Sequence, residues 1–290
     1  MLVLCNDPQL AIADALGDAA EARGARSVRV LPFVAGERHG AEPPDEVAAA
    51  MVSASVVFAP TTFSLSHTTA RAEATRRGTR MATMPGITEE VFRRALDVDY
   101  GELKRAGESL AAQLTAASVC RVRSVGGTDL TLDLGGRSGI SDDGDLSVAG
   151  AFGNLPAGEA FIAPVETAAE GTIVFDGALG GYGLLEDEVV VTVAGGRLVS
   201  AVGGDAGPWL ESVLDAGGEF GRSIAELGIG TNPAARLTGN VLEDEKALGT
   251  IHLAFGTSVG IGGVNRSSVH IDGLVLHPTV ELDGRTIAGP

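Results

Sequence analysis

The stretch CRVRSVGGTDLTLDLGGR, Cys120–Arg137, decides the fold. Leu130, Leu132 and Leu134 alternate with Thr131 and Asp133. Successive side chains of a strand point to opposite faces, so this is a half-buried β-strand entered through the Gly126-Gly127 turn. The same rhythm returns in GTIVFDGALGGYG and VVVTVAGGRLVSAVGG. Only AGPWLESVLDAGGEFGRSIAEL interrupts it, with a helical stretch expected to start after Pro208.

Upstream the pattern is different. MLVLCN, SVRVLPF, SVVFAP and RMATMPG are short β-rich runs separated by PQLAIADALGDAAEARG, PDEVAAAMVSA and HTTARAEATRRG, which carry helical spacing. That alternation predicts βα units on a parallel sheet. Two more helices, TEEVFRRAL and DYGELKRAGESLAAQLTAA, lead to a boundary at Ser118. The expected organisation is an α/β domain over 1–118 and a mainly β domain over 119–290, with no repeat or low-complexity linker between them.

A chain of 290 residues is long enough to bury two cores of moderate size. Lysine and arginine number 21 against 38 aspartate and glutamate, an acidic balance that argues against a phosphate-backbone partner, so no nucleic acid is expected. Cys5 and Cys120 are the only cysteines and form no CxxC pair, which excludes a thiolate zinc site and suits a reducing cytoplasm. No apolar run reaches the length of a membrane span, and MLVLCNDPQL lacks the features of a signal peptide, so a soluble cytoplasmic protein is expected.

Three of the five histidines fall between His252 and His277. In VHIDG, Val269–Gly273, His270 and Asp272 are two apart, which on a strand puts them side by side on the face opposite Val269 and Ile271. His252 in GTIHLAFG is flanked by Ile251 and Leu253 in the same way. Glu226 lies in AELGIGTNP, and Glu159 in LPAGEAFIAPVE. Together, Glu159, Glu226, His252, His270 and Asp272 form an imidazole and carboxylate set that suits zinc, cobalt, manganese or non-haem iron. A bridging carboxylate would allow two metals, whereas His252, His270 and Asp272 alone would form a two-histidine, one-carboxylate face for a single iron.

Each residue also has a plainer reading. His252 could be a hydrogen-bonded core histidine, the His270–Asp272 pair a structural contact, and Glu159 and Glu226 turn or cap residues. EDEKALG, Glu243–Gly249, reads by default as a solvated loop, although Glu245 or Lys246 could project into the site as an acid–base group. His67 follows Ser66, read here as a helix N-cap, and is either exposed or a general base. His39 and His277 read as loop residues. GIGTNP and SVGIGGVN lack the spacing and context of nucleotide-binding loops, and there is no GxSxG elbow.

The order LPAGEAFIAPVE, AELGIGTNP, EDEKALGTIHLAFG and VHIDG resembles the family of aminopeptidase T and its leucyl aminopeptidase relatives over most of the second domain. TTFSLSHTTARAEATRRGTRMATMPGIT also looks like their first domain. The resemblance implies a divalent metal centre on Glu159, Glu226, His252, His270 and Asp272, water-driven cleavage of an amide or short peptide, and a homodimer. The aminopeptidases place a tyrosine seven residues after the first of these histidines, where this chain has Val259. A second branch, similar to 2,5-dihydroxypyridine dioxygenase, shares the segments around His252 and His270 and implies a single ferrous iron that opens a small hydroxylated aromatic ring. There a first-domain histidine acts as base, and His67 is its counterpart here. The expected function is therefore metal-dependent hydrolysis with Glu245 and His67 as acid–base residues. The alternatives are iron-dependent ring opening and a non-catalytic ligand-binding relative.

Overall fold

The computed structural model describes residues 1–288, so the last two residues of the expected second domain lie outside it. The chain folds into two compact units. One comprises Met1–Tyr100 and Gly144–Ala157, the other Gly101–Asp143 and the chain from Gly158 onward.

The first unit alternates β1 (Leu2–Cys5), α1 (Leu10–Ala22), β2 (Arg29–Pro32), α2 (Asp45–Ser53), β3 (Val56–Thr61), α3 (Thr69–Arg76), β4 (Arg80–Pro85) and α4 (Glu89–Ala95). The strands are parallel in the order β2-β1-β3-β4. All four residues of β1 are buried, as expected for a central parallel strand covered on both faces. Thr68, not Ser66, caps α3, accepting the Arg71 N–H, while the Ser66 hydroxyl is engaged with Ser64 and Thr83. His67 is therefore an exposed turn residue ahead of the helix rather than a member of its first turn.

The second unit opens with α5 (Tyr100–Ala116), then β5 (Val119–Ser124), β6 (Asp129–Asp133) and β7 (Ile140–Asp142). The chain next returns to the first unit, where β8 (Phe152–Asn154) pairs in parallel with β4 and Asn154 Oδ1 accepts the Thr83 hydroxyl at 2.6 Å. Back in the second unit follow β9 (Glu159–Ile162), β10 (Glu170–Phe175), β11 (Ala178–Leu179), β12 (Gly183–Leu184), β13 (Val189–Ala194), β14 (Arg197–Val202), α6 (Ala206–Ala216) and β15 (Ile224–Gly230). The unit ends with α7 (Val241–Asp244), β16 (Thr250–Gly256), β17 (His270–Leu276), β18 (Pro278–Leu282) and β19 (Arg285–Ala288).

Two antiparallel seven-stranded sheets result, β14-β13-β10-β6-β5-β18-β19 and β12-β11-β17-β16-β15-β9-β7. One core draws on both, joining Leu130, Leu132 and Leu134 to Leu227, Leu253 and Val275. The mixed α/β architecture agrees with the sequence. The boundary differs from the break after Ser118, because Ala111 and Leu114 of α5 are buried in that same core and because residues 144–157 supply a strand to the first sheet. Helix α6 begins at Ala206, two residues before Pro208, since a proline in the first turn forgoes no intrahelical N–H bond. Among the described residues, no helix is long and apolar enough to cross a membrane.

Candidate metal centre

The site is built on one face of β9, β15, β16 and β17. Register places Glu226 opposite Ala254 and Ala254 opposite Asp272. One step along, Gly228 lies opposite His252, and at the two ends Gly230 lies opposite Glu159 and Gly256 opposite His270. Residues two apart share a face, so five ligand-type side chains stand on one side of the sheet. Leu227, Ile229, Ile251, Leu253, Phe255 and Val275 point to the other side, into the core. The glycines make the room: a Cβ on Gly228 would lie 2.0 Å from the His252 ring.

The polar atoms converge. His252 Nε2 lies 3.3 Å from Glu159 Oε2 and 3.3 Å from Glu226 Oε1, and His270 Nε2 lies 3.3 Å from Glu226 Oε2 and 3.4 Å from Asp272 Oδ1. Three overlapping donor groups follow: Glu159, Glu226 and His252; Glu226, His270 and Asp272; Glu245, His252 and Asp272.

Whether a metal fits is decided by the protons. His270 Nδ1 faces the Thr257 carbonyl oxygen at 2.8 Å, and a carbonyl can only accept, so Nδ1 carries the hydrogen. In the neutral ring Nε2 then presents a lone pair to two carboxylate oxygens, an arrangement that needs a proton or a cation between them. His252 Nδ1 and Glu159 Oε2 are buried without hydrogen-bond partners, although burial of such atoms is costly. Ligands about 2.1 Å from one ion lie about 3.0–3.4 Å from each other, the spacing seen here. The residues fit a divalent ion.

In the metal-free chain protons take that place. Burial opposes the imidazolium of His252, but Glu226, Glu159 and Asp272 outweigh it and raise its pKa to about 9. Desolvation also opposes the imidazolium of His270, a half-buried side chain, but Asp272 and Glu226 outweigh it and raise its pKa well above the ordinary value. Burial also works against the Glu226 and Asp272 carboxylates, and the two histidines overcome it, lowering both.

EDEKALG is not a solvated loop: Glu243, Asp244 and Lys246 are fully buried. Glu243 accepts the Arg236 N–H and Asp244 the Thr238 N–H, so these two acids hold the preceding turn. Lys246 Nζ donates to Glu159 Oε1 and Glu245 Oε1, each at 2.6 Å, with Asp142 Oδ2 at 3.6 Å. Burial pushes the Glu245 carboxyl up to about 8, with Lys246 opposing.

All five expected ligands and Glu245 therefore meet within the second unit. His67 belongs to the first unit and to none of the donor groups. His39 accepts the Ser64 N–H, His277 sits at a φ of 46° between β17 and β18, and Val259 opens a short exposed turn in the β16–β17 loop. Asp142 and the central placing of Lys246 were not legible, because an acid in SDDGDL and a lysine in EDEKALG carry no sign of burial.

Comparison with known proteins gives the context. Over 99% of this chain and 89% of its own, 2,5-dihydroxypyridine dioxygenase from Pseudomonas putida superposes with a TM-score of 0.82 at 20% identity. AmpT from Thermus thermophilus covers 99% of this chain and 91% of its own, with a TM-score of 0.72 at 19% identity. At such identities the likeness is one of fold. No curated protein matches significantly. The sequence model of the NicX family, 2,5-dihydroxypyridine 5,6-dioxygenase, matches residues 11–289, nearly the whole chain, and the protein belongs to that family.

Proposed function

We propose that this protein is a mononuclear non-haem iron enzyme that adds dioxygen to a small hydroxylated aromatic ring of the dihydroxypyridine kind and opens it. The supporting observation is that Asp272 shares one donor group with His270 and Glu226 and another with His252 and Glu245 on one face of the sheet, with Lys246 ion-paired to Glu159 and Glu245 beside them. This reading replaces hydrolysis as the main one, because family membership favours the dioxygenase. Ferrous iron held by His252, His270 and Asp272 would supply open positions for dioxygen and a ring hydroxyl. Glu226, 3.3 Å from Nε2 of both imidazoles, is a further carboxylate at the ligand position, and the Thr257 carbonyl, which accepts the Nδ1–H, orients the His270 ring. Glu245, whose carboxyl burial pushes up to about 8, is the proposed acid–base group for the ring hydroxyl and takes its proton in the ionised fraction, which grows as pH rises toward 8. His67 is proposed as a second acid–base residue on the resemblance alone, and His67→Ala should lower turnover at unchanged metal content. A cytoplasmic homodimer completes the reading, and a monomer by light scattering would remove that part.

One observation favours a second reading. Glu159, Glu226 and His252 form a further donor group, and with Glu226 as a bridge the face could hold two ions for amide hydrolysis. Oxygen decides between them. Protein loaded anaerobically with ferrous iron should consume one O2 per 2,5-dihydroxypyridine and leave aminoacyl p-nitroanilides intact. Release of nitroaniline without oxygen uptake, at two zinc or cobalt ions per chain, would overturn the dioxygenase reading.

A further inference from the structure

The glycine-rich stretch SVGIGGVN, Ser258–Asn265, lies in the loop that joins the two ligand strands β16 and β17. Gly260, Gly262 and Gly263 leave its backbone more conformations than an ordinary loop has, yet it is tied down from outside. Arg137, between β6 and β7, donates through Nη1 to the Gly262 carbonyl at 2.7 Å and pairs through Nη2 with Glu166, between β9 and β10. Glu166 Oε1 in turn accepts the Val264 N–H at 2.7 Å. The two side chains are only 16% and 12% exposed, and an ion pair so far from water is costly unless its remaining donors and acceptors find partners. The loop backbone supplies them.

The contacts continue from there to the metal face. The Asn265 N–H donates to Ser258 Oγ, and the Asn265 carbonyl accepts from the Ser258 N–H and the Thr257 hydroxyl. Asn265 Nδ2 donates to the carbonyl of Ile224, the first residue of β15, which fixes this end of the loop to the sheet. Thr257, whose N–H donates to the Val269 carbonyl, presents the oxygen that accepts the His270 Nδ1–H. We propose that Arg137 and Glu166 are positioning residues of the metal centre: they brace the loop Ser258–Asn265 and so hold the Thr257 carbonyl that aims His270 Nε2. A hydrogen-bond partner behind a ligand imidazole fixes its tautomer and ring orientation, so slack in that partner is felt at the metal. The inference rests on His270 being a metal ligand, as the proposed function has it, but not on the reaction at that metal.

The test titrates stripped wild type, Arg137→Ala, Glu166→Ala and the double variant with Co2+ against a chelating dye, and records the visible absorption of the bound cobalt. Val122→Ala, a truncation in the core away from the loop, serves as the control for lost stability. Each brace variant should lose about 10–100-fold in cobalt affinity and show an altered cobalt spectrum. The double variant should lose no more than either single one, because the pair acts as a unit. Val122→Ala should melt earlier yet keep the wild-type affinity and spectrum. If alanine leaves too large a gap for the chain to fold, Arg137→Met keeps the packing of the stem, removes only the donors and carries the same comparison. Wild-type affinity and spectrum in the brace variants would overturn the inference, and so would an equal loss in Val122→Ala, which would reduce the effect to general destabilisation. If wild type itself takes up no cobalt, the metal centre fails and the brace fails with it, whereas unchanged variants of a metal-binding wild type remove the brace alone.

Discussion

His270 shows how much one residue carries. Its Nδ1 is committed to the Thr257 carbonyl, so Nε2 is the only atom it can offer to a metal. His270→Ala should abolish retention of the divalent metal, read as loss of bound metal after gel filtration, with the fold kept by circular dichroism. Protons and metal compete for the same atoms, which gives a pH signature. His252 is raised from 6.5 to about 9, so in the metal-free protein its stabilising contribution is fully present below pH 6.5 and is lost as pH rises through 9. The thermal midpoint of stripped protein should fall across that interval while metal affinity rises, because each ion bound displaces protons. A midpoint that climbs from pH 6.5 to 9 would contradict the raised pKa. The cysteines make a quieter case. Burial pushes the Cys120 thiol up to about 12 and raises Cys5 as well, with Asp14 and Asp7 adding to it. At pH 8 only about one Cys120 in ten thousand would be thiolate, so iodoacetamide should modify neither cysteine until the protein is unfolded. The pairing of His270 with Asp272 was legible, since period two puts both on one face. The burial of Lys246 was not, because charge next to charge in a sequence normally means solvent.

At the scale of elements, β15, β16 and β17 work as one device. Each carries an apolar face into the core and a ligand face opposite, so core packing fixes the register that aligns the ligands. Slipping one strand by a residue would expose the core and scatter the site together. Gly228 is where this device has least slack. Gly228→Ala would press a methyl into the His252 ring, at a cost of about 1–3 kcal/mol for an overpacked site. We expect a lower thermal midpoint and weakened metal binding, and unchanged metal affinity would show that the ring has room to move. Strand identity and facing were readable from alternation. The start of α6 was not, because a proline in a first helical turn looks the same in sequence as one just before it.

For the whole molecule, the division into units follows burial rather than sequence pattern. Helix α5 reads as the last helix of an α/β run, yet Ala111 and Leu114 lie in the core built by the two antiparallel sheets. A fragment cut at the change of pattern, residues 119–290, lacks that helix and should show no cooperative melt by circular dichroism, even with metal added. A sharp transition in that fragment would show that α5 is dispensable. The sequence by itself determined the alternation of strands and helices, the change to antiparallel sheet at Cys120–Arg137, and the five ligand-type residues, because these rest on local periodicity. Only the tertiary structure decided that α5 and residues 144–157 change sides and that Lys246 sits among three carboxylates. Those outcomes depend on which distant surfaces bury one another, and no spacing along the chain encodes that.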